Sequence, residues 1–589
     1  MLKVSKNHNF TRKDKVYIKM DAGKRTINDI FNGNRVLEIP FFQRAYVWGV
    51  NQWERLLEDM ENVSHTKKPY FLGSVILKQQ PTETTSKIGD KRTVIDGQQR
   101  MTTLNIFFKV FCLKEDNNKV FDRIFKLINN DIALLHNHND FDSFNAIINL
   151  DTLQEISGDD NITKAYNFFK INLDPSKLDL NTLLSRVLFV GIDLDENEDE
   201  QQIFDTINSL GVTLTTAELL KNYFFNRDEI SSYDTYWKSI FEKDDDTKAY
   251  WDKEVTTGRL KRAFIDLFFF SYLQIKVQDK ELNVRAEDKI EYSKVEQLFD
   301  SYKRFIKDYL KNDKQKLLVE IKEYAGLFRK NINSDIVENE LVSDSGIERI
   351  NAIIFGLDNS TLIPYILYVV KNVSDISTRN QLLEFIETYI MRRMIAHANT
   401  KNYNQLFTDR LINNEVLSKA QFIEYLEGQA DKTNFLPTDD DLKYGFHNSQ
   451  LINKQSAGIL YFIESKIRNK SLHSTQLLGI NKYSLEHLMP KKWENNWDKK
   501  ESAEEILFRN RKLLTLGNLT IITQALNSSI RDGNWNVKKK GRGDKKGLEA
   551  YAAGLETISE YLNLEFWDES SIEKRASDLF EKAKRIWPV

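Results

Sequence analysis

The sequence predicts a multidomain α+β protein, with a mixed α/β block first, a helical middle, and a small strand–strand–helix module near the C-terminus. Three observations carry this. A chain of 589 residues is too long for one ordinary core, so two or three domains are expected. Short runs of apolar and β-branched residues mingle with helical spacings before position 230, whereas from about 230 to 470 Leu, Ile, Phe and Tyr recur at three and four residues between charged ones. Thr438-Asp439-Asp440-Asp441 is the best local break before the last segment and reads as a helix cap. The expected domains are therefore 1–230, 231–430 and 431–589.

Composition narrows the class. The chain is 41% hydrophobic and 29% charged, and its 8 prolines and 23 glycines argue against long disordered linkers. No apolar run approaches a membrane span, the stretch Leu267–Phe270 included, and Met1–His8 lacks an apolar signal core. A bacterial-type cytoplasm is expected. The single cysteine, Cys112, excludes a disulfide framework and a cysteine-based zinc site. Net charge is −3, so nucleic-acid binding has to rest on local basic patches. The run Lys538-Lys539-Lys540-Gly541-Arg542-Gly543-Asp544-Lys545-Lys546 is one such patch; a solvated loop is its plainer use.

In chain order, Val36–Pro40 reads as a short extended segment, Trp53–Met60 as a helix, Tyr70–Leu77 as a strand and Thr82–Lys91 as a polar hairpin-like connection. Arg92–Ile95 is a second strand, followed by a long apolar-rich helix from Met101. Leu188–Ile192 is a late strand, and Thr216 caps a further helix after the block Ile203–Leu214. The aromatics of Phe264–Tyr272 are expected in a helical core. His136-Asn137-His138-Asn139-Asp140 reads as a solvated loop, because histidines two apart do not share a helix face.

Residues 94–104, Val-Ile-Asp-Gly-Gln-Gln-Arg-Met-Thr-Thr-Leu, form a strand, a tight Asp96-Gly97 turn and a helix start at Gln98-Gln99-Arg100. A helix N-terminus presents free N–H groups and partial positive charge, which suit a phosphate. Arg100 can add a bidentate contact, Gln98 and Gln99 can donate to a base, sugar or phosphate, and Asp96 can bind magnesium or hold the turn. Upstream, Gln43-Arg44-Ala45-Tyr46-Val47-Trp48 pairs a guanidinium with two aromatics able to stack on a base; packing against the helix from Trp53 is the competing use, and the better one for Trp48.

Near the other end stands Tyr483-Ser-Leu-Glu-His-Leu-Met-Pro490, followed about thirty residues on by Gly517-Asn518-Leu519-Thr520-Ile521-Ile522 and then Asn527. Cutting a phosphodiester takes a base to activate water and a cation to stabilise charge on the phosphate and leaving oxygens. His487 can be the base; Glu486 and Asn527 offer hard oxygens suited to Mg²⁺ or Mn²⁺. Ser484–Leu488 fits a strand ended by Pro490, and Thr523 caps a short helix that carries Asn527.

This second constellation resembles the skeleton of an HNH nuclease site, and the two together resemble the GmrSD family of modification-dependent restriction endonucleases. The resemblance implies a ParB/sulfiredoxin-like fold around Asp96–Arg100 that binds and hydrolyses a nucleoside triphosphate (GTP, UTP, CTP or ATP) or senses modified DNA. It implies a ββα-metal HNH domain in which Asn518 orients the motif, and in which Lys538 and Lys539, after Trp535, hold the DNA backbone. Many HNH proteins carry Asp where Glu486 stands. By the same resemblance Gln43, Arg44 and Tyr46 contact DNA or its modification. The expected partners are double-stranded DNA, phage-derived or modified, a nucleotide, and a second copy of the chain, with no membrane. Two sub-readings share this architecture: attack on glucosylated-hydroxymethylcytosine DNA, as in GmrSD, and nicking of unmodified invaders by an SspE-like effector of a phosphorothioate system. The rival from another class is a nucleotide-sensing ParB-like DNA-binding regulator with an inactive nuclease domain.

Overall fold

The computed structural model describes residues 21–31, 34–41, 43, 45–80, 90–195, 216–225, 227–257, 260–429, 432–468, 476–551 and 555–589. Arg44, the polar connection after Gln80 and the block Ile203–Leu214 lie outside the described residues. The chain separates into two compact units, Met1–Tyr233 and Asp234–Val589. Both mix helices with small sheets, as an α+β reading requires. No helix among the described residues is long and apolar enough to cross a membrane.

The first unit is built on one mixed sheet of six strands: β1 (Asp21–Thr26), β2 (Arg35–Glu38), β3 (Tyr70–Gln79), β4 (Asp90–Asp96), β5 (Leu134–Leu135) and β6 (Val187–Leu194). Their spatial order is β1-β6-β3-β4-β2-β5. The β3–β4 pair is antiparallel, and β6 runs parallel to β3 with Ile76 opposite Ile192. Helix α1 (Val50–Thr66) buries Trp53, Leu56, Leu57, Met60 and Val63, a repeat of three and four that lays one apolar face on the core. Helix α2 (Gln98–Lys114) is buried on nearly every side from Met101 to Cys112, as a central helix should be. Its Phe107 and Phe108 pack against Phe169 and Phe125, and Phe121 stacks on Phe125. Strand, turn and helix follow in the expected order, and the helix opens at Gln98, ahead of the apolar run from Met101.

The second unit is mainly helical. After short helical segments from Asp234 to Asp252, a two-stranded ribbon, β7 (Glu254–Thr257) and β8 (Leu260–Ala263), feeds helix α3 (Phe264–Lys276). Phe264, Phe268, Phe269 and Tyr272 of α3 are buried against Trp237, Phe241, Trp251 and Phe328. Helix α4 (Ile376–Ile395) brings Glu387 to Arg349 at 2.6 Å, both almost wholly buried. Helix α5 (Asp439–Asn448) opens on Thr438, whose hydroxyl accepts from the Asp441 N–H while the Asp441 carboxylate accepts from the Thr438 N–H. Further on come α6 (Asn453–Ile467), β9 (Tyr483–His487), β10 (Leu519–Thr523), α7 (Gln524–Ile530), α8 (Trp535–Lys540), the short hairpin β11 (Gly541–Arg542) and β12 (Lys545–Lys546), and α9 (Glu569–Ile586).

Candidate active site

Strands β9 and β10 pair antiparallel with Glu486 opposite Thr520 and His487 opposite Leu519. Alternation along β9 sends neighbouring side chains to opposite faces. Glu486 is buried at 6% exposure, and His487 is half-buried. Burial, reinforced by the charges of Lys491 and Lys538, pushes the His487 imidazole down to about 4. It is thus neutral near pH 7 and able to accept a proton.

Asn518 fixes the chain directly after His487. Its carbonyl oxygen accepts from Leu488 N at 2.9 Å, and its side-chain Oδ1 accepts from Met489 N at 2.9 Å and Trp567 Nε1 at 3.0 Å. Its Nδ2 donates to Met489 O at 2.8 Å and Leu513 O at 3.0 Å. The side chain is fully buried, and both ends of its amide are spent on the surrounding chain. Behind it, Arg575 of α9 donates to the carbonyls of Leu516, Gly517 and Leu519. Nothing in the sequence singles out Arg575, which lies more than fifty residues downstream on an amphipathic helix.

Helix α7 starts where Thr523 accepts from Leu526 N at 3.4 Å. It carries Asn527, whose Nδ2 donates to Ser484 Oγ at 3.3 Å and Leu485 O at 3.2 Å. That leaves Asn527 Oδ1 as the atom able to bind a cation. Ser484 and Glu486 lie on one face of β9 by alternation, so the Asn527 amide and the Glu486 carboxylate come to the same side.

Two expectations are corrected here. Lys538 is not a DNA-backbone contact: it is fully buried, its ammonium paired with Glu486 and donating to His487 O at 2.7 Å. Burial pushes Glu486 up and Lys538 down, and the opposite charge of each partner works against that shift. Lys539 is turned inward as well, donating to Leu564 O at 2.8 Å with Trp535 beneath its ammonium. The physical reason is that Trp535, Lys538 and Lys539 lie on the inward side of α8 at helical spacing. The outward cations of the same run are Lys540, Arg542, Lys545 and Lys546.

In the first unit, Gly97 has φ +101, and an added Cβ would lie 2.9 Å from Val75 Cγ2 and 3.2 Å from Ser74 O, so only glycine joins β4 to α2 here. Asp96 Oδ2 accepts from Ser74 Oγ at 2.8 Å and from Arg100 Nη2 at 2.9 Å, and Arg100 Nη2 also donates to Ser74 O at 2.7 Å. Arg100 is thus tied back to the turn, with its Nε buried and unpartnered. Gln98 is buried with Oε1 unpartnered. Gln99 is turned toward the 45–48 segment: its Oε1 accepts from Val47 N at 2.9 Å and Trp48 N at 3.3 Å, and its Nε2 donates to Ala45 O at 3.4 Å.

Tyr46 likewise does not present a stacking face. It is 3% exposed; its hydroxyl meets Thr103 Oγ1 and Trp53 Nε1, each at 2.7 Å. Gln43 is buried and accepts from Asn222 Nδ2 at 3.2 Å. Trp48 packs half-buried on the core. The expected solvated loop at 136–140 is in fact interior. His136, Asn137 and Asp140 are buried; Thr102 Oγ1 meets His136 Nε2 at 2.8 Å, and Asp140 Oδ2 accepts from Tyr46 N at 2.7 Å and Asn137 Nδ2 at 3.0 Å. Burial pushes His136 down to about 3, so it is neutral although Asp140 Oδ2 lies 3.6 Å from Nδ1.

The comparisons agree with a DNA-cutting enzyme of the restriction class. Residues 27–225 match the model of the GmrSD restriction endonuclease N-terminal domain, and residues 436–582 match that of the C-terminal domain. The chain belongs to the GmrSD restriction endonuclease family, whose enzymes act on DNA in defence against phage. No curated protein matches it.

Proposed function

We propose that the β9–β10–α7 module is an HNH-type, ββα-metal nuclease site that hydrolyses or nicks the DNA backbone with a divalent cation. One observation carries the reading: the β9–β10 register, braced by Asn518, brings Glu486, His487 and Asn527 around one strand end. Neutral His487 takes the proton of the attacking water. Asn518 holds the Leu488–Met489 backbone, and through it the position of His487.

The oxygens of Glu486 and Asn527 suit Mg²⁺ or Mn²⁺, which commonly keep several waters and few protein ligands. A cation bound there would neutralise charge on the phosphate and the leaving oxygen. Glu486 can serve only once Lys538 has shifted from it. That one contact is also what favours the rival reading, a ParB-like nucleotide-sensing regulator with an inactive nuclease domain.

In the first unit we assign nucleotide binding or modification sensing to the Asp96–Arg100 turn of a ParB/sulfiredoxin-like fold. The support is the glycine-held helix start with the unpartnered Gln98 Oε1 and Arg100 Nε beside it. The nucleotide is GTP, UTP, CTP or ATP.

The test is a plasmid assay with Mg²⁺ or Mn²⁺ on plain, glucosylated-hydroxymethylcytosine and phosphorothioate DNA, with and without nucleotide. His487→Ala should lose about 10²–10⁴ in rate while still binding DNA. Near wild-type nicking by this variant would sink the assignment.

A further inference from the structure

We propose that the groove between helix α7 and the β11–β12 hairpin is a seat for the phosphodiester backbone of duplex DNA. The proposal rests on the nuclease reading and gives it a substrate-holding surface in place of Lys538 and Lys539.

The groove has a volume of about 520 Å³ and is lined by Thr523, Ser528, Ser529, Arg531, Lys545 and Lys546, with Asp544 at its rim. It lies on the other side of α7 from the candidate site. Asn527 faces β9, and Ser528, the next residue, is turned by about 100° toward the groove. A strand of DNA seated here would therefore run alongside the candidate cleavage centre with only one helix between.

The charge has not been spent internally. Lys538 and Lys539 are consumed by Glu486 and a carbonyl, but among the described residues Arg531, Lys545 and Lys546 are exposed and form no ion pair. Arg531 uses only its Nε, donating to Ser528 O at 3.1 Å. The terminal nitrogens stay available to a phosphate oxygen. Ser529 also lines the groove, with its hydroxyl buried and without a hydrogen-bond partner.

The hairpin is built to hold this shape. Gly541 has φ +97, and a Cβ there would lie 1.9 Å from Lys545 O, so β11 and β12 close as tightly as backbones allow. Lys545 and Lys546 are β12 itself and line the groove with residues of α7. Three cations, one carboxylate and three hydroxyls along a rigid wall match a polyanion read by its backbone, not by its bases.

The experiment measures the binding of full-length protein to a labelled duplex by fluorescence anisotropy in EDTA across a salt series. The combined variant Arg531→Ala, Lys545→Ala, Lys546→Ala should weaken binding and flatten the slope of log affinity against log salt by about 2.7, at about 0.9 for each lost phosphate contact. Asp544→Asn should move the other way and tighten binding at low salt. Removing Lys307, Lys316 and Lys330, exposed in the same unit, should leave the slope unchanged. A triple variant that keeps the wild-type slope, or an Asp544→Asn variant that binds no tighter, overturns this proposal and leaves the cleavage assignment standing. Wild-type protein that binds no duplex at any salt overturns both.

Discussion

The Lys538 ammonium pairs with the Glu486 carboxylate inside the protein and also holds the carbonyl of His487. One cation thus ties together both members of the proposed catalytic dipeptide. Lys538 and Glu486 are 52 residues apart in sequence and meet because α8 packs its inner face on the end of β9.

This arrangement makes Lys538 a competitor of any metal at Glu486. Lys538→Gln should therefore raise the affinity for Mn²⁺, read by calorimetry. In metal-free buffer the same variant should lose about 3–5 kcal/mol, because a buried carboxylate is left without its counter-charge. Added Mn²⁺ should restore the thermal midpoint. If Mn²⁺ shifts neither protein, Glu486 is not a metal ligand.

Asn518→Ala removes four side-chain hydrogen bonds, each worth about 1 kcal/mol net, from a site sealed from water. Cleavage should fall because the chain after His487 loosens, while Mn²⁺ affinity stays close to wild type. A parallel loss of metal binding would mean that Asn518 acts on Glu486 as well.

Gly97→Ala forces a side chain into positive φ and against Val75. It should cost about 1–3 kcal/mol in the first unit and weaken nucleotide binding. Arg100→Ala tests the same site without backbone strain: nucleotide affinity, measured by calorimetry, should vanish while the fold persists. Retained affinity in Arg100→Ala would reduce the Asp96–Gly97 turn to a structural element.

His136 supplies a pH prediction. Its folded value is depressed to about 3 against about 6.5 unfolded, so folding excludes the proton. Its contribution to stability is complete above pH 6.5 and is lost progressively as pH falls toward 3. Thermal unfolding between pH 7 and 4 should decline less steeply in His136→Gln than in wild type. Equal slopes would show that the imidazole takes up its proton without opening the core.

Much of this was legible in the sequence because it is local. Asp-Gly before a helix, Thr438 with Asp441, and Thr523 before α7 announce their geometry within four residues, and the structure has each turn or cap in place. The fate of the charged and polar side chains was not legible, because it is decided at a distance. His136-Asn137-His138-Asn139-Asp140 looks solvated, yet His136 Nε2, Asp140 Oδ2 and His138 Nδ1 find their partners in Thr102, Tyr46 and Phe41 from other elements. Lys538 looks like part of a surface run. One local signal was present: Trp535 and Lys538 stand three apart on a helix, so a buried tryptophan takes that lysine inward with it.

Because Glu486 and His487 are consecutive on β9, their roles depend on phase as much as on identity. Sliding β9 by one residue against β10 would trade the two faces, sending the imidazole to Lys538 and the carboxylate to the opposite side. The Asn518 bracket and the carbonyls gripped by Arg575 thus work as a frame lock. A mutation far from any reacting atom could silence the enzyme by shifting a strand 3.4 Å or so along its axis, with every active-site side chain still present.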